Sequence, residues 1–293
     1  MNAKVDTAPT LLRSEQDEGG DLLRRPPVVA APSEGYVRWL RRQRREKNCV
    51  LAGQIALLVV FFGLWEILAK THIVNPMLTS YPSAVWPTFL DLLRHGSLGL
   101  HTWATFKATL LGFVVSMALG VMIAAGLWWS RMANRILDPF LVVANAMPKI
   151  AFVPIFYIWL GSEYSVYGMA VAIALFVTIM VVYEGFQATD PNKIKLAITL
   201  GATRMQVLRM VVMPGAVPTL IAAAKMNIGL SLVGVIVGEF QSSSEGLGFL
   251  IVNGSQIFKL NIVMTAIVVL ALMSAIMYLV IARIESALSR RYG

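Results

Sequence analysis

Cysteine and charge are both scarce in this chain. Cys49 is the sole thiol among 293 residues, so neither an intrachain disulfide nor a cysteine-rich metal site can staple the fold. Charged residues make up 14% of the sequence and apolar ones 57%, whereas a soluble domain carries roughly 25% and 45–50%. That balance cannot clothe a core in a water-facing surface, which excludes an ordinary soluble globule. Acidic residues number 16 against 25 basic ones, yet the basic residues form no stripe on a polar fold, so nucleic acid is excluded as a partner. The sequence has no G-x-x-x-x-G-K-[ST] phosphate loop, no G-x-S-x-G and no H-E-x-x-H. The usual marks of an ATPase, a serine hydrolase and a membrane metalloprotease are therefore missing. His72, His95 and His101 share no metal-ligand spacing and are expected to be solvated residues in or beside the first external loop.

What is present divides unevenly. Residues 1–49 hold 17 of the 41 charges, ten of them basic, together with Gly19, Gly20, Pro26, Pro27 and Pro32. A segment so poor in periodic apolar residues cannot repay its ordering entropy, and residues 1 to about 35 are expected to be disordered. The run YVRWLRRQRREK from Tyr36 to Lys47 suits a short helix at anionic headgroups, or equally a charge cluster that only sets topology. The apolar run after it is too long for a secretory signal and lacks a small-residue cleavage site. Residues 1–49 are thus expected to be a cytoplasmic segment, 50–285 a transmembrane domain and 286–293 a cytoplasmic tail.

Six windows supply the roughly 20 apolar residues that a bilayer crossing needs: about 50–69, 103–129, 136–160, 165–187, 215–240 and 262–282. With the N-terminus inside, the cytoplasmic segments collect fifteen lysines and arginines against three outside, so both termini are expected in the cytoplasm. The expected fold is an all-α integral membrane protein of about six transmembrane helices. In the first external loop, YPSAVWPTFLDLLRH pairs turn residues with apolar ones at helical spacing and is expected to lie along the outer membrane surface.

The long inner loop reads DPNKIKLAITLGATRMQVLRMVVMP from Asp190 to Pro214. Asp190 can cap a helix whose first position is Pro191, and Gly201 can end it in a left-handed conformation. Thr203 with Gln206 fits a capping box that restarts a helix, and Pro214 marks the approach to the fifth span. The first of these helices, at about 15 Å, is too short to cross a bilayer. Ile194, Ala197 and Ile198 form an apolar stripe that Leu196 and Leu200 widen. Two seats fit that stripe equally: the ends of the protein's own spans, or a groove on a cytoplasmic partner.

The spacing Ala197, three residues, Gly201, nine residues, Val211, one residue, Met213, Pro214 resembles the EAA loop of bacterial ABC-importer permeases. That loop runs Glu-Ala-Ala, three residues, Gly, nine residues, Ile, any residue, Leu, Pro. This chain departs from it with Lys195 where the family often has Glu, Leu196 for an Ala, Val211 for Ile and Met213 for Leu. NPMLTSYPSAVWPTF, AMPKIAFVPIFYIWLG and GEFQSSSEGLGFLI are similar to segments of the permeases for nitrate, taurine and alkanesulfonates. The resemblance implies a homodimeric permease of the bacterial inner membrane, surrounded by lipid. It implies a separate ATP-binding cassette subunit, which would bind the ATP and leave this chain without a cofactor, and a periplasmic or lipid-anchored solute-binding protein. Lys195, Leu196, Ala197, Gly201, Ala202, Thr203 and Pro214 would then belong to the coupling loop. The metal-site expectation is none, and so is the catalytic one.

Charge inside a span costs about 2.5–3.5 kcal/mol on insertion scales. Lys149, between Pro148 and Pro154, and Lys225, about ten residues into the fifth window, either face the translocation path and favour an anionic solute or snorkel to an interface. Snorkelling is expected for Lys107. Glu66 and Glu184 read as interfacial anchors. Glu239, beside the SSSEGLG turn, holds an outer gate through the Ser242–Ser244 region or serves the turn structurally. Gly234 and Gly238 have the small-xxx-small spacing of a close helix contact. Two rival functions stand: an ion-coupled secondary transporter, expected to carry deep ionisable residues and repeat symmetry, and a membrane-embedded enzyme.

Overall fold

The computed structural model describes residues 34–71, 73, 80–95, 97–242 and 244–292. Residues 1–33 of the segment expected to be disordered to about 35, His72 and most of the first external loop lie outside them, whereas Glu34 and Gly35 are helical. Among the described residues the chain is helical throughout, with no strand. We number the helices α1 (Glu34–Lys70), α2 (Pro82–Arg94), α3 (Ser97–Trp129), α4 (Arg131–Ala146), α5 (Val153–Gln187), α6 (Pro191–Thr199), α7 (Arg204–Val207), α8 (Met213–Gly215), α9 (Val217–Ser242), α10 (Leu247–Gln256) and α11 (Leu260–Tyr292). A 3-10 turn, Lys149–Phe152, precedes α5, and a π turn, Leu208–Val212, joins α7 to α8. The chain divides into two compact units, Met1–Phe61 and Phe62–Gly293. In the first, the basic run is helical from Glu34, and it opens one continuous helix instead of forming a short one of its own.

Among the described residues, five helices are long and apolar enough to cross a membrane: Arg45–Lys70, Ser97–Trp129, Lys149–Gln187, Val217–Gln241 and Leu260–Glu285. The expected third span, 136–160, is not one of them as a continuous helix. Met147 takes an extended conformation, ψ 141°, because the ring of Pro148 bars the residue before it from the helical region. That break leaves α4 as a separate amphipathic helix.

Lys149–Gln187 itself folds back. Gly161 has φ +78° and ψ 174°, a conformation open to glycine but costly for any residue with a Cβ. The Lys149 ammonium lies 5.7 Å from the Phe176 ring centre, whereas an unbroken helix would separate residues 27 apart by about 40 Å. Gly168 is likewise packed on Phe156 and Leu160. The segment is therefore a hairpin with its corner at Gly161.

Close helix contacts fix the directions. A Cβ on Gly112 would lie 2.5 Å from that of Ala170, and one on Gly120 2.5 Å from Thr178 Cγ2. Both registers advance by the same step, so α3 and the second arm of α5 run parallel. Gly234 meets Ala170 while Gly238 meets Val166, so α9 runs antiparallel to that arm. This is the close packing expected of Gly234 and Gly238. Two parallel neighbours joined by a connection require a return, and residues 131–160 make it. The expected 136–160 crossing thus exists as a passage along the bundle, broken at Met147–Pro148.

At the Gly161 end, α2 is docked by polar contacts. Glu66 accepts hydrogen bonds from the backbone N–H (3.0 Å) and Oγ (2.6 Å) of Ser83, which gives α2 the N-terminal cap that Tyr81 does not supply. Ser80, fully buried, donates to Asn261 Oδ1 at 2.7 Å and accepts from Trp65 Nε1 at 3.2 Å. The main apolar core joins α3, α9, α10 and α11 around Leu232, Leu247, Ala266 and Met273.

Candidate functional site

Two places in the bundle bring sequence-predicted site residues into built structure, one at each end. The first is the loop after α5. Asp190 Oδ1 accepts from Asn192 N–H at 2.8 Å with Pro191 in the first turn, and Gly201 ends the helix at φ +84°. There the Ala202 N–H returns to the Ala197 carbonyl at 3.0 Å. The Thr203 and Gln206 capping box is complete, with Thr203 N–H on Gln206 Oε1 at 2.7 Å. The restarted helix is shorter than the spacing suggests: four residues of α7, then the π turn, then Pro214 at the start of α8. Arg204 reaches the Trp129 carbonyl at 3.5 Å, tying this loop to the end of α3.

Seating of α6 divides its apolar residues. Ile194 and Ala197 are half-buried against a cluster built on Val182, Phe186, Val207, Leu208 and Val212, where Ala202 also packs. Leu196 and Leu200, one turn apart, are 61% and 79% exposed, and Ile198 is exposed on the opposite flank. Lys195, Gly201 and Thr203 are exposed, and Pro214 is half-buried. The apolar stripe expected as a single face is split: Ile194 and Ala197 face inward, while Leu196, Leu200 and, on the other flank, Ile198 face outward.

The second place is the opposite end. Glu239, only 3% exposed, accepts from Thr105 Oγ1 at 2.8 Å and from Gly248 N–H at 2.7 Å. Thr105 Oγ1 in turn accepts the Leu247 N–H at 2.8 Å. Gly246 N–H donates to His101 Nδ1 at 3.0 Å. Gly246 sits at φ +112°, and a Cβ there would land on the Glu239 carboxylate. Side chains of α3 and α9 thus satisfy three consecutive N–H groups at the start of α10, the groups that a helix start leaves unpaired. Among the described residues Glu239 bonds Thr105 and Gly248; the side chain of Ser242 and all of Ser243 lie outside the described residues.

His101 corrects an expectation. It is not a solvated loop residue: α3 begins at Ser97, and His101 is 9% exposed, against the Phe249 ring at 5.7 Å between centroids. His95 is exposed beside Asp91 as expected.

Between the two ends lies a neutral node that sequence reasoning missed. Asn227, 1% exposed, accepts from Ser116 Oγ and Ser231 Oγ, both at 3.0 Å, and donates to Thr178 Oγ1 at 2.5 Å. It joins α3, α5 and α9 at the level where Gly120 admits Thr178. An asparagine in a long apolar run was the available signal. The lysines occupy different surroundings. Lys149 Nζ donates to the Asn145 carbonyl at 2.7 Å and lies over Phe176, with no carboxylate in ion-pair range among the described residues. Lys225 pairs with Glu285 on α11. Lys107 is exposed.

This fold, a bundle of long apolar helices with a short capped helix at one end, defines a multi-pass membrane transport component. Residues 116–293 match the model of the family described as binding-protein-dependent transport system inner membrane component, and the chain belongs to that family. It is a membrane permease subunit of ABC-type importers. The chain is similar to the formylaminopyrimidine transport permease protein ThiX of Halalkalibacterium halodurans, 27% identical over 226 residues that cover 77% of this chain and 90% of the relative. It is also similar to the taurine transport system permease protein TauC of Escherichia coli (strain K12), 23% identical over 245 residues, 82% of this chain and 89% of the relative. A solved structure of the MetNI methionine ABC transporter in an inward-facing conformation shares the fold. Its TM-score is 0.58 at 18% identity, with 63% of this chain and 93% of that one covered.

Proposed function

We propose that this chain forms, as a homodimer, the translocation pathway of an ABC importer whose ATP is bound and hydrolysed by a separate subunit. It needs no cofactor of its own and catalyses no reaction. The observation that carries the reading is α6: a rigidly capped helix, half-seated on its own bundle, that holds Leu196 and Leu200 out to solvent. An outward apolar pair on a basic helix suits an apolar groove on a partner. We place that end in the cytoplasm on the positive-inside count, with the ATPase gripping Lys195, Leu196, Ala197, Gly201, Ala202, Thr203 and Pro214 as the EAA loop. Lys195 replaces the family glutamate and presents a positive charge to the ATPase there. A solute-binding protein would load the opposite end. ATP-driven closure of the ATPase pair then moves α6 and rocks the bundle between inward-open and outward-open states.

Of the intramembrane charges, Lys149 is best suited to a solute anion, because among the described residues a carbonyl and a ring attend its ammonium and no carboxylate pairs with it, while Lys225 is neutralised by Glu285. Glu239 serves the path by holding the turn that closes its outer end. The solute is proposed to be a small anion of the sulfonate, taurine or nitrate type, which the similarity to a taurine permease supports. The test is copurification of the chain with an ATPase encoded beside it, followed by uptake in proteoliposomes. The expected results are ATP-dependent uptake of an organosulfonate and its loss in Lys149→Met. Uptake by the lone chain under an ion gradient would overturn the reading.

A further inference from the structure

The hydrogen bond from Gly246 N–H to His101 Nδ1 fixes the state of that ring. A backbone N–H can only donate, so Nδ1 must offer its lone pair, and the neutral ring carries its proton on Nε2. A second proton would occupy Nδ1 itself and turn the acceptor into a donor facing a donor. The bond exists only while His101 is neutral.

We propose that His101 is a positioning residue of the outer gate and that its protonation from the external side unlatches the turn at the start of α10. The proposal rests on the permease reading for its consequence, though not for its geometry. The surroundings set its terms. His101 lies four residues after the start of the Ser97–Trp129 span, at the end that the permease reading faces outward, so on that reading the external side is the short route for a proton. Glu239 on α9 faces the same turn through Thr105, Glu245 lies in the turn itself, and Phe249 on α10 packs on the ring. Lys107 on α3 is exposed. Of the three latching side chains, His101 is the one that accepts the Gly246 N–H. The Glu239 and Thr105 bonds to Gly248 and Leu247 persist when it lets go, so the turn loosens at its N-terminal side without detaching.

The test is amide hydrogen exchange on the full chain in lipid nanodiscs at pH 7.5 and pH 5, with each rate divided by its intrinsic rate. In the wild type, protection at Gly246 falls about tenfold in acid, the scale of a lost buried bond, while Leu247 and Gly248, held by Thr105 and Glu239, do not change. His101→Gln keeps an acceptor that cannot titrate in this range, so protection persists at both pH values, whereas His101→Ala loses it at both. Protection independent of pH in the wild type, or an equal acid loss in His101→Gln, overturns the proposal. Uptake by the assembled importer adds the functional arm: external pH 5 changes the wild-type rate and leaves His101→Gln unaffected. A latch that titrates by exchange without any such difference in uptake would reject the gating role and leave the permease reading standing.

Discussion

The two ends of the bundle are built on opposite plans. At the α6 end, structure is made locally: Asp190 caps its own helix, Gly201 ends it, Thr203 and Gln206 restart the chain, and apolar side chains are left outside. At the Gly161 end, structure is made at long range and polar groups are taken inside. Glu239 meets Thr105, 134 residues away in sequence, and Gly246 meets His101 across 145. The difference teaches what each end is suited to do. A locally built, outward-facing element can move as a unit and hand force to a partner. A turn latched from several helices is held in place until its bonds are broken.

The largest effect is expected where the two plans meet, in the helix contacts between the ends. Gly234→Leu would place a Cβ 2.6 Å from the Ala170 Cα, a backbone atom that cannot step aside while Gly112 presses on the same residue. A loss of about 3 kcal/mol or more is expected, at the upper end of overpacking costs, read as failure to accumulate as a monodisperse protein in detergent. Glu239→Ala strands the Thr105 hydroxyl and the Gly248 N–H, and stability should fall by about 2–3 kcal/mol. The measurement is thermal unfolding in detergent, and a variant as stable as the parent would remove the latch from the account.

Next comes the neutral node. Asn227→Leu takes the Asn227 bond from three hydroxyls, of which Ser116 and Thr178 keep a backbone carbonyl, and a drop of about 1–2 kcal/mol is expected, given that hydrogen bonds in membrane proteins contribute modestly. It should be visible in unfolding while α6 stays as accessible as before. The smallest effect belongs to the local end. Thr203→Ala removes one cap and should cost about 1 kcal/mol or less, with faster hydrogen exchange confined to residues 203–207.

The same contrast explains what could be read from sequence. The caps of α6, the left-handed Gly201, the capping box and the Gly234 and Gly238 contact are properties of neighbouring residues, and their spacing announced them. The break before Pro148 was visible as two prolines, but the amphipathic separation of α4 from the short arm before Gly161 was not, since the apolar run continues unbroken through it. His101 was misplaced because the helix starts four residues before its histidine, in a stretch, SLGLH, with no charged or capping signal strong enough to mark it. Asn227 was passed over as one polar residue in an apolar window. Its role depends on Ser116 and Thr178, 111 and 49 residues distant, and no periodicity links them. The outward pair Leu196 and Leu200 lay within an expected stripe, but which part of it faced the bundle required the packing of Ile194 and Ala197.

The central claim, that the exposed side of α6 is the handle of an ATPase, is tested most directly by site-directed crosslinking at Leu200. A Leu200→Cys variant, with Cys49 replaced by serine, should form a specific crosslink to the ATPase subunit in the assembled transporter, and the yield should change when ATP is added. Leu196→Asp with Leu200→Asp should abolish that assembly without lowering the unfolding temperature of the isolated chain. A fully active transporter carrying both aspartates, or a crosslink at Leu200 that captures only lipid or the chain itself, would contradict the account.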